Sequence, residues 1–426
     1  LTAITDAVHE FGARVFGQLT HYGNQSRSIE THRPLWAPSA QPDMTIGEIP
    51  WTMTVSQIHE IVAGFGVSAA NLIEAGFDGV EIKVAHDGVL RQFLSPHSNH
   101  RSDEYGGSAE NRARIVLEVL QAIREAIGDR PLGIRLDINE YLPDGLGVDD
   151  AIEFARMFTG IADYISSDSG TWESIWMMIP PPPIEHGFLL PDVARLKSAI
   201  SVPVIGHGRI VRPEEAEAAL ADGSCDMIGM TRQLIADPFW AEKAQNGEEE
   251  GIMTCIGCNF CLSRLLADKP VMCVVNPAAG FEEIYGHEKQ ARSARQPGKL
   301  VVVGGGPAGM RAAEIAARQG HRVVLFEKEA EIGGRIKWES RLPGRSEFEG
   351  LTRYEEYALR SLKVDLHRGV AADAEKVLEE RPEWVIIATG SQMVSGGING
   401  SDARSGVFTT LDALDGRVKG NHVLVL

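Results

Sequence analysis

Hydrophobic positions recur along this chain in two alternating rhythms. Short apolar stretches at residues 14–19, 79–85, 132–139, 163–169, 203–209 and 227–232 read as buried strands. Longer stretches at 55–75, 108–127, 148–158, 191–199 and 212–222 carry the i, i+3, i+4 spacing of amphipathic helices. This alternation predicts parallel strands joined by crossover helices. Residues able to do chemistry cluster where the strands end: Gln18 and His21, Lys83 and His86, Trp172 and Glu173, Arg209, Arg232. Such placement predicts an α/β fold of the (β/α)8 TIM barrel type, whose sites lie at the C-terminal ends of its strands. Six strands can be read where a barrel has about eight, so the first two βα units are expected upstream of Leu1. An open doubly wound sheet is the alternative.

A second α/β unit starts at residue 299. Between the two lie a cysteine-bearing loop (237–281) and a polar, irregular linker (282–298). The expected domains are therefore a partial barrel (1–240), the cysteine loop with its linker (241–298), and a partial Rossmann-like dinucleotide domain (299–426). The proline run at 180–183 stiffens a loop, since proline continues neither a helix nor a central strand. The chain opens without Met and closes on the apolar run 423–426, which reads as a new strand; both ends are expected to be cut.

Charge narrows the function classes. With 59 acidic against 41 basic residues the formal net charge is −18, which argues against nucleic acid or an anionic membrane as partner. No apolar run reaches the roughly 18 residues of a membrane helix. Four of five cysteines crowd between 255 and 273. That pattern suits metal ligation in a reducing compartment rather than a secreted disulfide scaffold, and a cytoplasmic location is expected.

Cys255-x2-Cys258-x2-Cys261-x11-Cys273 brings three thiolates at three-residue intervals and a fourth from the next turn. Soft anionic donors in that arrangement suit an iron–sulfur cluster; structural zinc, the alternative, favours two separated pairs. The apolar strand 300–303 runs into Gly304-x-Gly306-x-x-Gly309 and a helix, and the next strand ends on Glu327. Strand, glycines, helix and acid in that order form a dinucleotide fingerprint. The glycines admit a pyrophosphate to the helix N-terminus, and Glu327 is expected on the adenosine ribose. Gly333-Gly334-Arg335 forms a second close turn. In the barrel, Gly208-Arg209 and Thr231-Arg232 follow the last two strands, where barrels commonly bind phosphate. If that phosphate belongs to a flavin mononucleotide, Arg135 is suited to the ring edge where reduction builds negative charge. For each arginine an ordinary salt bridge is the alternative.

Gln18-Leu19-x-His21, Asp103-x-Tyr105-Gly106-Gly107-Ser108-x-x-Asn111-Arg112, the Gly208-Arg209 and Arg232 pair, and the four-cysteine run resemble the old yellow enzyme superfamily. The similarity is to its multidomain branch, with trimethylamine and dimethylamine dehydrogenases, 2,4-dienoyl-CoA reductases and N-methyl amino acid demethylases. It implies FMN on the barrel, held in part by Gln18, and a [4Fe–4S] cluster on Cys255, Cys258, Cys261 and Cys273. It also implies FAD or ADP on the C-terminal domain. In the reductases NAD(P)H binds a nested domain, which would begin near residues 418–426. The branch's alkene reductases carry His-x-x-His-x-Tyr at the fourth barrel strand, with the tyrosine giving a proton to the alkene carbon. Here the run is Lys83-Val84-Ala85-His86-Asp87-Gly88. Glycine donates no proton, whereas a Lys-x-x-His pattern resembles the amino acid demethylases. The resemblance therefore implies oxidative N-demethylation, with Lys83 meeting a substrate carboxylate and His86 a substrate heteroatom. A barrel-mouth salt bridge is the alternative for Lys83. The second reading is NAD(P)H-dependent alkene reduction with Glu173 or Asp87 replacing the tyrosine. The third is a non-catalytic electron-transfer subunit. The partners expected are a small-molecule substrate and either a second copy of the chain or an electron-acceptor protein.

Overall fold

The computed structural model describes residues 1–290, 292–391 and 406–418. The chain divides into two compact units, Leu1–Pro180 with Ile184–Met230, and Pro181–Pro183 with Thr231–Leu426.

In the first unit the strands are β1 (Phe16–Leu19), β2 (Trp36–Ala37), β3 (Trp51–Thr52), β4 (Gly79–Val84), β5 (Leu132–Asp137), β6 (Tyr164–Asp168), β7 (Val204–Gly206) and β8 (Met227–Ile228). Six of them form one sheet in the order β1-β4-β5-β6-β7-β8, and every pairing is parallel. Sequential parallel strands with helical crossovers are the expected barrel arrangement. β2 and β3 form a separate two-stranded parallel pair, which the periodicity did not predict. Valine and isoleucine at alternate positions turn Val80, Ile82 and Val84, with Ile134 and Leu136, toward the helices in one core. Helix Val55–Glu74 starts at a Thr54–Gln57 capping box. Its apolar stripe, Ile58, Ile61, Phe65, Ala69 and Leu72, recurs at helical spacing. That helix packs on Ala109–Ile127, where Gly66 lets the Ala122 carbonyl come within 3.2 Å of where a Cβ would stand.

The second unit holds β9 (Lys299–Val303), β10 (Arg322–Glu327), β11 (Asp365–Arg368) and β12 (Trp384–Ile387) in a parallel sheet ordered β11-β10-β9-β12. Alternate residues feed cores on both faces: Leu300, Val302, Val323 and Leu325 on one, Val301, Val324 and Phe326 on the other. Two-sided burial is the pattern of a doubly wound sheet. This unit begins at Thr231, short of the boundary at 240 that the sequence suggests. The reason is local: Gln233 and Asp237 both bind the backbone of the cysteine loop, and Arg232 donates to Asn259 at 2.5 Å. Arg232 opens the helix Arg232–Ala236 and so ends β8 early. The strand expected at 423–426 lies outside the described residues.

Candidate active site

The inner face of the first sheet is polar. Register pairs Lys83 with Arg135, Arg135 with Ser166, and Asp137 with Asp168, so these side chains share the face opposite the apolar core. Lower on that face Gln18 donates to Glu81 at 2.6 Å. Tyr164 also meets Glu81, and burial followed by that carboxylate pushes its phenol up. Gly133 makes room for the ring, since a Cβ there would stand 1.9 Å from it.

At the C-terminal end of β4 the chain turns through His86, whose φ of 50° lies in the left-handed region. The turn sends His86 Nε2 to within 2.8 Å of Asp168 Oδ1 on β6, at ion-pair distance but off the line of a hydrogen bond. Arg135 Nε donates to the other oxygen of Asp168. Burial alone would raise the Asp168 carboxyl, but Arg135 and then His86 outweigh it and hold it well below the usual carboxylate range. Arg135 also reaches His207 Nε2 at 3.5 Å, and burial, then Arg135, pushes that imidazole down to about 4. Asp137 is fully buried, and burial, then Glu140, pushes its carboxyl well up although Arg91 and the His86 backbone favour its charge.

Lys83 is ion-paired, the arrangement that the sequence reading held as its alternative. Its ammonium is paired with Asp87 four residues on, with side chains 15% and 11% exposed, and stands 5.9 Å from the Tyr22 ring centroid. The cause is sequence-local: the turn at His86 brings residues 83 and 87 together. Gly88 is also constrained, because a Cβ there would lie 2.7 Å from the Lys83 carbonyl oxygen. The backbone that positions Lys83 thus leaves no room for a side chain at 88. Glu173 is engaged by His97, 3.1 Å away.

Gly208 and Arg209 both have positive φ, 137° and 59°, and Arg209 donates to the Ile184 carbonyl. Thr231 and Arg232 belong to the second unit. There the Arg232 guanidinium bonds Asn259 and lies close enough to Cys255 and Cys258 to favour their thiolates.

In the cysteine loop the thiols feel one another's charge. Burial first, despite a Gly257 N–H bond, pushes Cys255 up to about 11. Backbone N–H groups of Gly257, Phe260, and Asn276 with Val275 lie where they favour the thiolates of Cys255, Cys258 and Cys273 respectively. Among the described residues no three His, Cys, Asp or Glu side chains gather as the ligands of a single ion would. Thiolates that cap separate iron atoms of one cluster stand further apart than that, and backbone N–H bonds to sulfur suit such a cluster.

In the dinucleotide unit, a Cβ at Gly304 would stand 2.4 Å from the Ala388 carbonyl and one at Gly309 would stand 1.9 Å from Gly304's. Nothing lies within 4 Å of the Gly306 position, the open mouth of the turn. Glu327 is tied inward: its Oε2 accepts the Gly305 N–H at 2.6 Å and its Oε1 the Glu329 N–H at 2.8 Å. A carboxylate has lone pairs to spare, so this bracing leaves capacity for a ribose hydroxyl. Gly333 N–H bonds the Gly305 carbonyl, and Arg335 donates to the Ser391 carbonyl. A glycine loop at a helix N-terminus fits an adenine dinucleotide.

Residues 1–250 match the NADH:flavin oxidoreductase / NADH oxidase family. The chain belongs to that family. Residues 302–355 match an NAD(P)-binding Rossmann-like domain. Among curated relatives, an NADH oxidase of Thermoanaerobacter brockii is 37% identical over 433 residues, covering 99% of this chain and 66% of the relative. An N,N-dimethylglycine/sarcosine dehydrogenase of Chromohalobacter salexigens is 37% identical, covering 99% and 63%. A solved 2-naphthoyl-CoA reductase superposes with a TM-score of 0.92 at 30% identity, covering 98% of this chain and 66% of that one. The chain thus spans just under two thirds of the length of these relatives. The two matches agree with the α/β barrel and the Rossmann-like unit of the fold. Among its described residues, no helix is long and apolar enough to cross a membrane.

Proposed function

We propose that this NADH:flavin oxidoreductase oxidatively demethylates a small N-methylated amino acid. It would use FMN on the barrel, a [4Fe–4S] cluster on the four cysteines, and FAD or ADP on the Rossmann-like unit. The observation that carries the reading is the turn Lys83–Gly88. It has no proton-donating side chain at 88 and no space for one, yet it sets an ion pair, Lys83–Asp87, beside a carboxylate-held histidine. A zwitterion complements an ion pair, its carboxylate meeting Lys83 and its ammonium Asp87. A simple cationic amine would meet an unwanted charge at Lys83. The 37% identity to the dimethylglycine/sarcosine dehydrogenase supports the same class.

Gln18 and Arg135 are the donors that would face the flavin, and Gly208-Arg209 the turn that would take its phosphate. When bound, the flavin supplies the two-electron acceptor. The protein's task is to make the N-methyl group a hydride donor. A protonated amine cannot do this, because its nitrogen lone pair must stabilise the developing cation. His86 is suited to take that proton. The Asp168 carboxylate 2.8 Å from Nε2 favours the ring proton on that nitrogen by its charge, leaving Nδ1 as acceptor. Asp168, held ionised by Arg135, stabilises the imidazolium that results.

The test is product analysis with flavin-loaded protein. Formaldehyde should appear with N,N-dimethylglycine or sarcosine, one per methyl group lost. NADH oxidation driven by an activated alkene, without formaldehyde from any methylated amino acid, would support alkene reduction instead.

A further inference from the structure

The helix Glu349–Ser361 touches two functional segments of the second unit. It lies against the cysteine loop. A Cβ at Gly350 would stand 2.7 Å from Thr254 Oγ1, so glycine permits the close approach, and Arg353 donates to the same oxygen at 3.4 Å. One turn on, the Tyr354 ring is buried in a core with Met253, Ile256, Val275 and Ala358, against which Cys255 and Cys273 pack. The hydroxyl of Tyr354 reaches a different element. It donates to Glu314 Oε1 at 2.8 Å. Glu314 is 1% exposed and lies on the helix Pro307–Arg318, which opens at the glycine loop. Arg318 Nε donates to the same oxygen at 2.9 Å, and Arg311 donates to the other. Glu355 is more than nine-tenths buried and stands 3.8 Å from Arg311, and its Oε2 finds no partner among the described residues. Burial, then Glu314, pushes the Glu355 carboxyl up. Glu314 is thus the anion that two guanidiniums and a phenol share.

A buried carboxylate that loses one of its donors is left poorly solvated, so this joint holds its partners to one arrangement. We propose that Tyr354 is a positioning residue that couples nucleotide binding at Gly304–Gly309 to the grip of the cysteine loop on its cluster. A pyrophosphate at the N-terminus of Pro307–Arg318 fixes that helix. Glu314 passes the fixed position to the Tyr354 hydroxyl, and the ring passes it to the core that carries Cys255 and Cys273. The coupling is reciprocal, because nucleotide and cluster favour the same seating of Glu349–Ser361. Both ligands belong to the functional reading, and the proposal rests on that part of it.

The test is the rate at which a ferrous chelator strips iron from cluster-loaded protein freed of bound nucleotide, with and without saturating ADP. The loop must open to release iron, so the rate follows the open population. In the wild type ADP should slow the loss about fivefold or more, the lower end of allosteric coupling. Tyr354→Phe keeps the ring and removes the joint. It should still bind ADP, by calorimetry, but lose iron equally fast with and without it. Arg318→Met removes another donor from the same Glu314 oxygen and should lower the protection without abolishing it. Lys299→Met, which removes an ion pair with Glu380 elsewhere in the unit, should keep the wild-type ratio. A merely structural tyrosine would speed iron loss in both conditions and leave the ratio unchanged. That unchanged ratio, in Tyr354→Phe or in Arg318→Met, would overturn the proposal. ADP that binds the wild type without slowing iron loss would overturn it alone. Failure to bind ADP, or zinc in place of iron, would overturn it together with the cofactor reading.

Discussion

His86 Nε2, in the turn after β4, and Asp168 Oδ1, at the end of β6, stand 2.8 Å apart although β4 and β6 are not sheet neighbours. β5 lies between them, and its Arg135 holds the opposite oxygen of the same carboxylate. One aspartate therefore serves both Arg135 and His86, and chiefly the Arg135 charge keeps it ionised although buried.

Asp168→Asn removes that charge and leaves Arg135 without its counter-ion. Arg135 keeps about a fifth of its side chain exposed, so the cost should sit at the low end for a broken buried pair, ~3 kcal/mol. Thermal melting reads this term. Demethylation should fall by about 10²–10⁴-fold, the usual worth of a positioned base. Full turnover in Asp168→Asn would remove His86 from the proton step.

Lys83→Met should raise the KM of an N-methyl amino acid by roughly 10- to 150-fold, the loss of one charge-assisted hydrogen bond. Flavin content should not change. Asp87→Asn should weaken the same substrates through their ammonium. An unchanged KM in both variants would leave the pair as a structural salt bridge.

Cys258→Ala should strip iron and acid-labile sulfide, each expected at about four per chain, because an incomplete thiolate set leaves one iron uncapped. Stoichiometric zinc without sulfide would contradict the cluster.

The half-buried imidazole of His207 sets a pH dependence of stability. Its folded value, about 4, lies below its ordinary 6.5. The unfolded chain therefore binds the proton first as pH falls. The contribution is complete above about pH 6.5 and is lost as pH drops toward 4. His207→Gln should flatten the melting-temperature profile across that window, and an unchanged profile would mean that His207 titrates normally.

Much of this was legible in the sequence. Short apolar stretches marked the strands, and Gln18 and Lys83 were read near strand ends, where the structure has them. The glycine fingerprint was local in sequence, and so was its geometry. What stayed hidden was long-range or crowded. The His86–Asp168 contact joins residues 82 positions apart. Asp137 and His207 gave no motif, although an acid and a histidine at strand ends were a usable signal. Lys83–Asp87 was hidden for a different reason. Their i, i+4 spacing suggests a helix, but the pair forms through a left-handed turn. The need for glycine at 88 comes from backbone approach, which no pattern of residue types encodes.

Anaerobic mixing of flavin-loaded protein with N,N-dimethylglycine tests the central claim most directly. Demethylation predicts that the oxidised flavin absorbance bleaches in the wild type, with formaldehyde released. In Lys83→Met the bleaching should need far higher substrate concentration. Flavin that stays oxidised with every N-methyl amino acid, yet is reoxidised by an activated alkene after NADH reduction, would contradict the account.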